Sequence, residues 1–589
     1  MSTIPESNRQ KMHRCCLPFL EWLQDYRLNT FKKDGIAGVS VAVVLIPQAM
    51  AYAMLAGLPP LYGLYAAAVT PLIGALWGSL RQLATGPIAI MSLLVLTTLT
   101  PLAEPGSPRF IDLAFLLAFM VGVLYFVIGC LRLGLIMSFI SHPTVKGFTA
   151  SAAIIIIATQ LPHLFGISLG RHEFLIPALV ELVTNLSELN LPTLALGSGA
   201  FALIYGIKRK WRFFPAGLVT LGLLTAVVYI FDLGRYGVSV IGEVSGGLPH
   251  PHLPGFDPAV MLQLLGPVIV IALVCFAETY SVGKAISSQT KQKIDINQEF
   301  IGQGLANFVG SFFQCYPVSG SLSRSAINYS AGARTGISSV ISSVVVVLTL
   351  LFLTPLFTYI PRTALAALVI SAVMLLFHPI EVFTLWKANR HDGVVAVTVF
   401  VLALVLKPDY ALLIGVIISL VLFLWKTMHP RIIEITKDVK QQVFLNADLV
   451  DCPCCPQLMI LRIDNAIFFA NAEYTIEHIE NLLDRRAKMV RYLLLDFKGV
   501  GFVDITAVDE LKILVDDLDK RGIKLLLVSP HLPVRQVLES SGFVQQIGQE
   551  HIFASYSEAI SNIFSDLNHD NCRTECPHTL FPECRTVKK

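Results

Sequence analysis

Charged residues are scarce in this sequence. Asp, Glu, Lys and Arg make up only 14% of the 589 residues, whereas 54% are hydrophobic. An ordinary soluble domain carries about 25% charged residues. The net charge is only +3 and the basic residues are dispersed, so nucleic acid is not an expected partner. This composition excludes an ordinary soluble protein for most of the chain.

The sequence also lacks the marks of an enzyme and of a secreted protein. The C-terminal third has no glycine-rich phosphate loop and no nucleophile–base pair, so we expect neither catalysis nor a cofactor. Residues 1–34 are polar and mixed in charge. We therefore expect them to form a cytoplasmic N-terminal segment without a cleavable signal peptide.

Long apolar segments do follow one another from Gly35 to Trp425, and FIDLAFLLAFMVGVLYFVIGCL (110–131) is one of the clearest. A membrane-spanning helix takes about 20 residues. The sequence therefore predicts a polytopic α-helical protein of the lipid bilayer. About fourteen spans are expected, near 35–56, 60–79, 86–100, 110–132, 134–160, 194–208, 213–232, 260–286, 297–315, 319–330, 337–359, 363–378, 394–406 and 409–427.

The basic residues of the loops predict the orientation. With the N-terminus inside, the inner loops hold eleven Lys and Arg residues and the outer loops hold five. Positive residues favour the cytoplasmic side. We expect cytoplasmic N- and C-termini, and a position in the plasma membrane.

After Lys426 the pattern becomes that of a soluble domain. Short apolar runs alternate with helical patterns, which predicts a cytoplasmic α/β domain over 435–565, most simply a regulatory or interaction module. QLMILRID (457–464) and AIFFAN (466–471) are expected to be two strands around a turn. Residues 566–589 form a Cys-containing tail.

Two predicted spans are interrupted at their start. The segment 86–100 begins with Gly-Pro, and YPVSGSLSRSAINY (316–329) places Pro, Ser and Gly where a span should already be in the membrane. Interrupted segments in corresponding parts of two halves indicate a transporter's substrate site. Each reads as a half-helix, and two helix N-termini facing one cavity would attract an anion.

Arg324 would add a full positive charge to this site, and Ser321 and Ser323 would add hydroxyl donors. The alternatives are a structural ion pair of Arg324 with Glu278, and close helix packing for the serines. Glu278 lies well inside a predicted span, where carboxylates are rare. It is expected either to bind and release a proton during transport or to remain paired with Arg324.

Several segments together resemble the sulfate permease family, also called solute carrier family 26. They are IPQAMAYAMLAGLPPLYGLYAA (46–67), GPIAIMSLL (86–94), AETYSVGKAIS (277–287) and SGSLSRSAINYSAGARTG (319–336), while DNAIFFANAEY (464–474) resembles the start of that family's STAS domain. The resemblance implies two inverted seven-helix repeats, here 35–240 and 255–428. It further implies a core domain that moves against a gate domain, and a homodimer.

The resemblance also implies the site residues. The anion would lie between the half-helices of spans three and ten, against Gln48, Tyr52, Pro87, Ile88, Ala89, Ser321, Ser323 and Arg324. Glu278 matches the acidic residue tied to proton coupling. Val282 stands where sodium-coupled bicarbonate relatives have Thr, which argues against a sodium site, and no metal is expected.

These observations predict a secondary anion transporter, with proton-coupled sulfate uptake by alternating access as the leading hypothesis. Bicarbonate, chloride or a C4-dicarboxylate are alternative substrates. From a different class, a channel-like or sensor membrane protein signalling through its STAS domain stays open, and the STAS domain is a candidate binder of cytoplasmic regulators.

The cysteines near and in the tail leave two interpretations open. DCPCCP (451–456) and NCRTECPHTLFPEC (571–584) contain six of them. Their spacing matches no common zinc finger, and structural disulfides are not expected in a reducing cytoplasm. They are either isolated thiols or part of a metal or redox sensor.

Overall fold

The computed structural model describes residues 18–23, 26–135, 141–169, 174–211, 215–242, 246–374, 377, 379–438, 443–447, 453–486, 489–574, 576 and 578–587. The chain divides into two compact units, Met1–Ser419 and Leu420–Lys589.

In the residues described, the first unit is helical with two short strands. Its elements are α1 (Phe19–Leu23), α2 (Leu28–Leu55), α3 (Pro60–Trp77), β1 (Ala84–Gly86), α4 (Ala89–Leu99), α5 (Pro108–Cys130), α6 (His142–Phe165), α7 (Leu175–Thr184), α8 (Leu191–Lys210), α9 (Ala216–Ile230), α10 (Pro258–Thr290), α11 (Ile296–Ser311), β2 (Ser319–Ser321), α12 (Leu322–Ser330), α13 (Ile337–Phe352), α14 (Arg362–Val373), α15 (Pro379–Ala388), α16 (Arg390–Val405) and the start of α17 (Pro408–Met428). A helix overlaps each of the predicted spans.

The local sequence explains where these helices begin. Ser107 caps α5 by accepting a hydrogen bond from the Phe110 N–H at 3.2 Å, and Pro108 occupies the first turn. Asp257 caps α10 in the same way through the Ala259 N–H at 2.9 Å. In the described part of the chain, seven helices are long and apolar enough to cross a membrane. The number of crossings stays a prediction.

Glycine allows the helices of the first unit to pack closely. A Cβ added to Gly122 of α5 would lie 2.4 Å from the Phe308 backbone nitrogen of α11, which is closer than atoms can approach. Small residues are typical of such helix contacts in membrane proteins. This contact fixes α11 against α5, and α11 in turn contacts the strands described below.

The second unit is built on a six-stranded sheet of order β4-β3-β5-β6-β7-β8. After the end of α17, its elements are β3 (Arg431–Asp438), β4 (Val443–Asn446), β5 (Leu458–Asp464), α18 (Ala472–Asp484), β6 (Tyr492–Asp496), α19 (Ile505–Lys520), β7 (Lys524–Val528), α20 (Leu532–Ser540), α21 (Phe543–Ile547), β8 (Ile552–Phe553), α22 (Tyr556–Ile563), α23 (His569–Thr574) and α24 (Cys584–Val587). Strands β5 to β8 are parallel and β3 is antiparallel to β5.

The predicted strand at 466–471 is wrong. The Asn471 side chain accepts from the Phe468 N–H at 2.8 Å and donates to the Ala466 carbonyl at 2.9 Å, which closes a turn before α18. Only Ile467 makes a bridge, with Val503. The antiparallel pair β3 and β4, which the sequence analysis missed, supplies the sheet edge instead.

Candidate functional site

The two interrupted segments meet in the first unit. Strands β1 and β2 pair antiparallel, with Ala84 opposite Ser321 and Gly86 opposite Ser319. Helix α4 begins at Ala89, just beyond β1, and α12 begins at Leu322, directly after β2. The ribbon of two strands therefore holds the first turns of two short helices near each other. That each helix begins near the middle of the bilayer stays a prediction.

Arg324 lies in the first turn of α12 and is completely buried. Its Nη1 donates to the Gln48 Oε1 of α2 at 3.4 Å, whereas Nε and Nη2 have no hydrogen-bond partner among the described residues. A Cβ on Gly86 would stand 3.3 Å from Nη2, and Gly86 has a φ of +148°, which side chains rarely adopt. The guanidinium therefore lies directly against the backbone of β1, and two of its three nitrogens, Nε and Nη2, have no acceptor among the described residues.

Glu278 lies on α10, beside the residue that fastens β2. The Thr279 hydroxyl is 2.8 Å from the Ser319 hydroxyl and accepts from the Gly320 N–H at 3.1 Å. The Glu278 Oε2 is buried and has no partner in the described structure, and its carboxylate is within electrostatic range of Arg324. Glu278 and Arg324 therefore do not form the direct ion pair that was the alternative expectation.

The other predicted site residues lie around this cation. The Ser321 side chain caps α12 by accepting from the Arg324 N–H at 3.5 Å, and it is 3.4 Å from the Ser323 hydroxyl. Tyr52, one turn after Gln48 on α2, is buried within electrostatic range of both Arg324 and Glu278.

At the other short helix, Pro87, Ile88 and Ala89 are buried where β1 leads into α4. Ser323 is exposed, whereas the other predicted anion-binding residues around Arg324 are buried.

The sequence analysis missed three buried polar residues of α11 that hold this ribbon. They stand at i, i+4 and i+8, and therefore on one helix face: Glu299, Gln303 and Asn307. Polar residues at helical spacing within an apolar span are a signal that could have found them. We call them the α11 polar row.

Each member of the α11 polar row forms hydrogen bonds with a different part of the β1–β2 ribbon or of the segments that lead into it. Glu299 accepts from the Ser79 and Leu80 N–H groups at 3.0 and 3.3 Å. The Gln303 Nε2 donates to the Thr85 hydroxyl of β1 at 2.9 Å. Asn307 accepts from the Val318 N–H at 2.8 Å and donates to the Val318 carbonyl at 3.1 Å. One helix thus sets the positions of β1 and β2.

The fold and the site together define a class of protein. The first unit has many apolar helices, and its buried cation lies between two short helices next to an isolated carboxyl group. In membrane proteins, ionisable groups in such places mark pathways for ions and substrates. The chain is an integral membrane protein of the anion-transporter class.

Comparison with known proteins gives the family. The model of the sulfate permease family matches residues 31–399, and that of the STAS domain matches residues 450–559. The chain belongs to the sulfate permease family and carries a STAS domain. "Sulfate transporter 4.1, chloroplastic" of Arabidopsis thaliana is 33% identical over 561 residues, covering 92% of this chain and 82% of that protein.

Solved structures have the same fold. The structure titled "The overall structure of SLC26A9" matches with a TM-score of 0.87 and 21% identity, covering 97% of this chain and 98% of that one. The transmembrane domain of a cyanobacterial bicarbonate transporter, BicA, matches with a TM-score of 0.59 and 22% identity, covering 67% of this chain and 98% of that one. The predicted combination of a membrane unit and a STAS domain is confirmed.

Proposed function

We propose that this protein takes up sulfate together with protons by alternating access, and that the anion binds between the first turns of α4 and α12. The observation that carries the proposal is the buried Arg324 guanidinium, whose Nε and Nη2 have no partner in the described structure. Burying a charge without a partner is costly. An anion that accepts from both Nε and Nη2 would remove this cost by charge-assisted hydrogen bonds.

The surrounding groups suit an anion as well. The first N–H groups of α4, at Ile88 and Ala89, and the start of α12 carry partial positive charge. Ser321, Ser323 and Tyr52 add hydroxyl donors, and Gln48 orients the guanidinium by accepting from it. Pro87 precedes the N-cap residue Ile88 and has no N–H, so it adds no donor to the site.

Sulfate is the favoured substrate because the family and the Arabidopsis relative carry its name. Its two charges also match a site with one full and two partial positive charges. Bicarbonate is the second candidate, because BicA shares the fold of the first unit. Chloride and C4-dicarboxylates are further candidate substrates for the uptake experiment described below.

Glu278 is the proposed proton carrier. Its Oε2 is buried without a partner, which suits a carboxyl group that gains and loses a proton as the anion binds and leaves. A channel-like protein would have no need of such a group. We further infer a homodimer, cytoplasmic termini, a plasma-membrane location and binding of cytoplasmic regulators by the STAS domain, all in keeping with the family membership.

The test is uptake of labelled sulfate into proteoliposomes, with and without an inward proton gradient. Wild type is expected to take up sulfate faster with the gradient. Glu278→Gln is expected to bind sulfate but to lose the response to the gradient. Glu188→Gln, an exposed carboxylate of the same unit, is the matched control and should respond as wild type does.

Two results would contradict the proposal in different ways. An absence of sulfate uptake under both conditions, with uptake of bicarbonate, chloride or fumarate instead, would overturn the substrate. A gradient response retained by Glu278→Gln would overturn the role of Glu278 and leave anion transport standing.

A further inference from the structure

The Cys-containing tail covers one face of the sheet in the second unit. Leu580 and Phe581 are only 3% and 4% exposed, and they belong to the apolar cluster that includes Leu494 of β6 and Leu526 of β7. Burial of this kind is the main stabilising contribution to a fold. The tail is therefore an integral part of the second unit.

Gln457 ties the tail to the segment that precedes β5. Its Nε2 donates to the Asn568 carbonyl at 3.0 Å, and its Oε1 accepts from the Asn568 N–H at 2.8 Å. The same Nε2 lies 3.4 Å from the Cys572 sulfur. The end of the DCPCCP segment and the start of the tail are thus held together by a two-way hydrogen bond.

This arrangement brings cysteines from distant parts of the sequence to one cleft. Cys455, Cys572, Cys576 and Cys584 all line it. Cys455 and Cys584 pack against the same apolar cluster, and Cys455 interacts electrostatically with Cys576 and Cys584. Burial raises the pKa of the Cys455 thiol to about 11.

Cys454, the neighbour of Cys455, has different surroundings. It interacts with Glu434 and Thr436 of β3 and with Arg486, none of which lines the cleft. Among the described residues, no group of three or more His, Cys, Asp or Glu side chains has an arrangement that could hold a metal ion. The cleft brings Cys455 to the same place as the tail thiols, with His578 also in its lining, and the experiment below separates thiol chemistry from metal binding.

We propose that Cys455 forms a reversible disulfide with Cys576 or Cys584, which locks the tail onto the sheet when the thiol pool becomes oxidised. The oxidant is a small disulfide such as glutathione disulfide. The tail thiolate attacks one of its sulfur atoms and releases one glutathione. Cys455 then loses its proton, attacks the mixed disulfide and releases the second glutathione. Two protein thiols are oxidised and one glutathione disulfide is reduced to two thiols.

The order of these steps follows from the surroundings. The thiolate is the attacking species, and a thiol whose pKa is raised by burial is a poor first nucleophile. Cys455 therefore acts second, when the mixed disulfide has already formed beside it. The disulfide should be absent under reducing conditions and should form within minutes to hours in excess oxidised glutathione.

The experiment uses the full-length protein in detergent, incubated with increasing ratios of oxidised to reduced glutathione. Remaining thiols are alkylated, and the protein is digested with trypsin and a glutamate-specific protease for mass spectrometry. We expect a linked peptide pair that joins Cys455 to Cys576 or Cys584 and disappears with dithiothreitol. Cys455→Ser should lower its yield at least tenfold, and Cys454→Ser should retain it.

Three results would overturn the proposal, and two of them come from wild type alone, so they do not depend on how the variants fold. The first is glutathione attached to tail cysteines while Cys455 stays alkylated. The second is a disulfide between Cys576 and Cys584 only. The third is one zinc ion per chain in the purified protein that is lost in Cys455→Ser, which would identify a metal site.

Discussion

Arg324 is the residue on which anion binding depends most. Lysine keeps the charge but lacks the planar fork of donors that reaches Gln48 and leaves Nε and Nη2 available. A hydrogen bond to a charged group contributes about 1.5–3 kcal/mol, so we expect Arg324→Lys to weaken sulfate binding by roughly 10- to 100-fold. Calorimetric titration of the detergent-solubilised protein would measure this.

The control for Arg324→Lys is Arg209→Lys, at the exposed end of α8. It should leave the dissociation constant unchanged. An Arg324→Lys protein that binds sulfate as tightly as wild type would mean that Arg324 serves the packing of α12 alone.

Gln48 offers a second test, because its amide oxygen accepts from the guanidinium. Gln48→Glu has almost the same shape but places a negative charge 3.4 Å from Nη1, where it would neutralise the cation and repel an anion. We expect sulfate affinity to fall at least tenfold. Gln289→Glu, exposed on α10, adds the same charge elsewhere and should have little effect. Equal losses in both variants would contradict a local role for Gln48.

Among single residues, the sequence alone was enough to single out those that are unusual in a membrane. Arg324 and Glu278 stand out because charges are rare inside apolar spans. The contact of Arg324 with Gln48 could not be predicted from spacing, since it joins residues of α2 and α12 that are distant in the chain. The roles of Pro87, Ile88 and Ala89 rested on the family resemblance.

Among the elements, α11 holds the strand ribbon that leads into the two short helices, through Thr85 of β1 and Val318 beside β2. Asn307→Ala would leave the N–H and the carbonyl of Val318 buried without their partner. Each such group costs about 1–3 kcal/mol. We expect a lower melting temperature together with slower sulfate uptake, because β2 would no longer be held in register.

The measurement is thermal unfolding in detergent together with uptake in proteoliposomes. Asn29→Ala changes an exposed asparagine of α2 and is the matched control. An Asn307→Ala protein with unchanged stability and uptake would show that the pairing of β1 with β2 suffices without α11.

The elements of the membrane unit were easier to predict than those of the STAS unit. Long apolar segments carry a strong signal, so each predicted span overlaps a helix. The strand expected at 466–471 failed because the Asn471 side chain forms local hydrogen bonds that compete with strand formation. The strand pair β3 and β4 was missed because β3 directly follows the last span and mixes charged with apolar residues, and β4 is only four residues long.

At the scale of the whole molecule, the tail contributes to the stability of the second unit. Phe581→Ala removes a side chain that is only 4% exposed and should cost about 3–5 kcal/mol. Hydrogen exchange of the full-length protein should report faster exchange of the β6 amides (Tyr492–Asp496), because this strand carries part of the same apolar cluster.

Phe469→Ala is the control for this measurement, since the Phe469 side chain is 72% exposed. It should leave the exchange of β6 unchanged. Equal protection of β6 in Phe581→Ala and wild type would mean that the tail packs on the sheet without stabilising it.

Proton coupling has a consequence for the whole transporter that needs no pH gradient, because it sets the charge moved in each cycle. Moving one charge against 100 mV costs about 2.3 kcal/mol, which is roughly a 50-fold change in accumulation. Sulfate with one proton carries one negative charge, so an inside-negative potential of about 100 mV should lower its accumulation in vesicles roughly 50-fold. A Glu278→Gln protein that still moves sulfate should carry two charges per cycle, so its accumulation should fall by roughly the square of this factor.

Membrane potentials set with potassium and valinomycin would measure the accumulation for both proteins, with Glu188→Gln as the control. A wild-type dependence as steep as two charges would contradict coupling to protons.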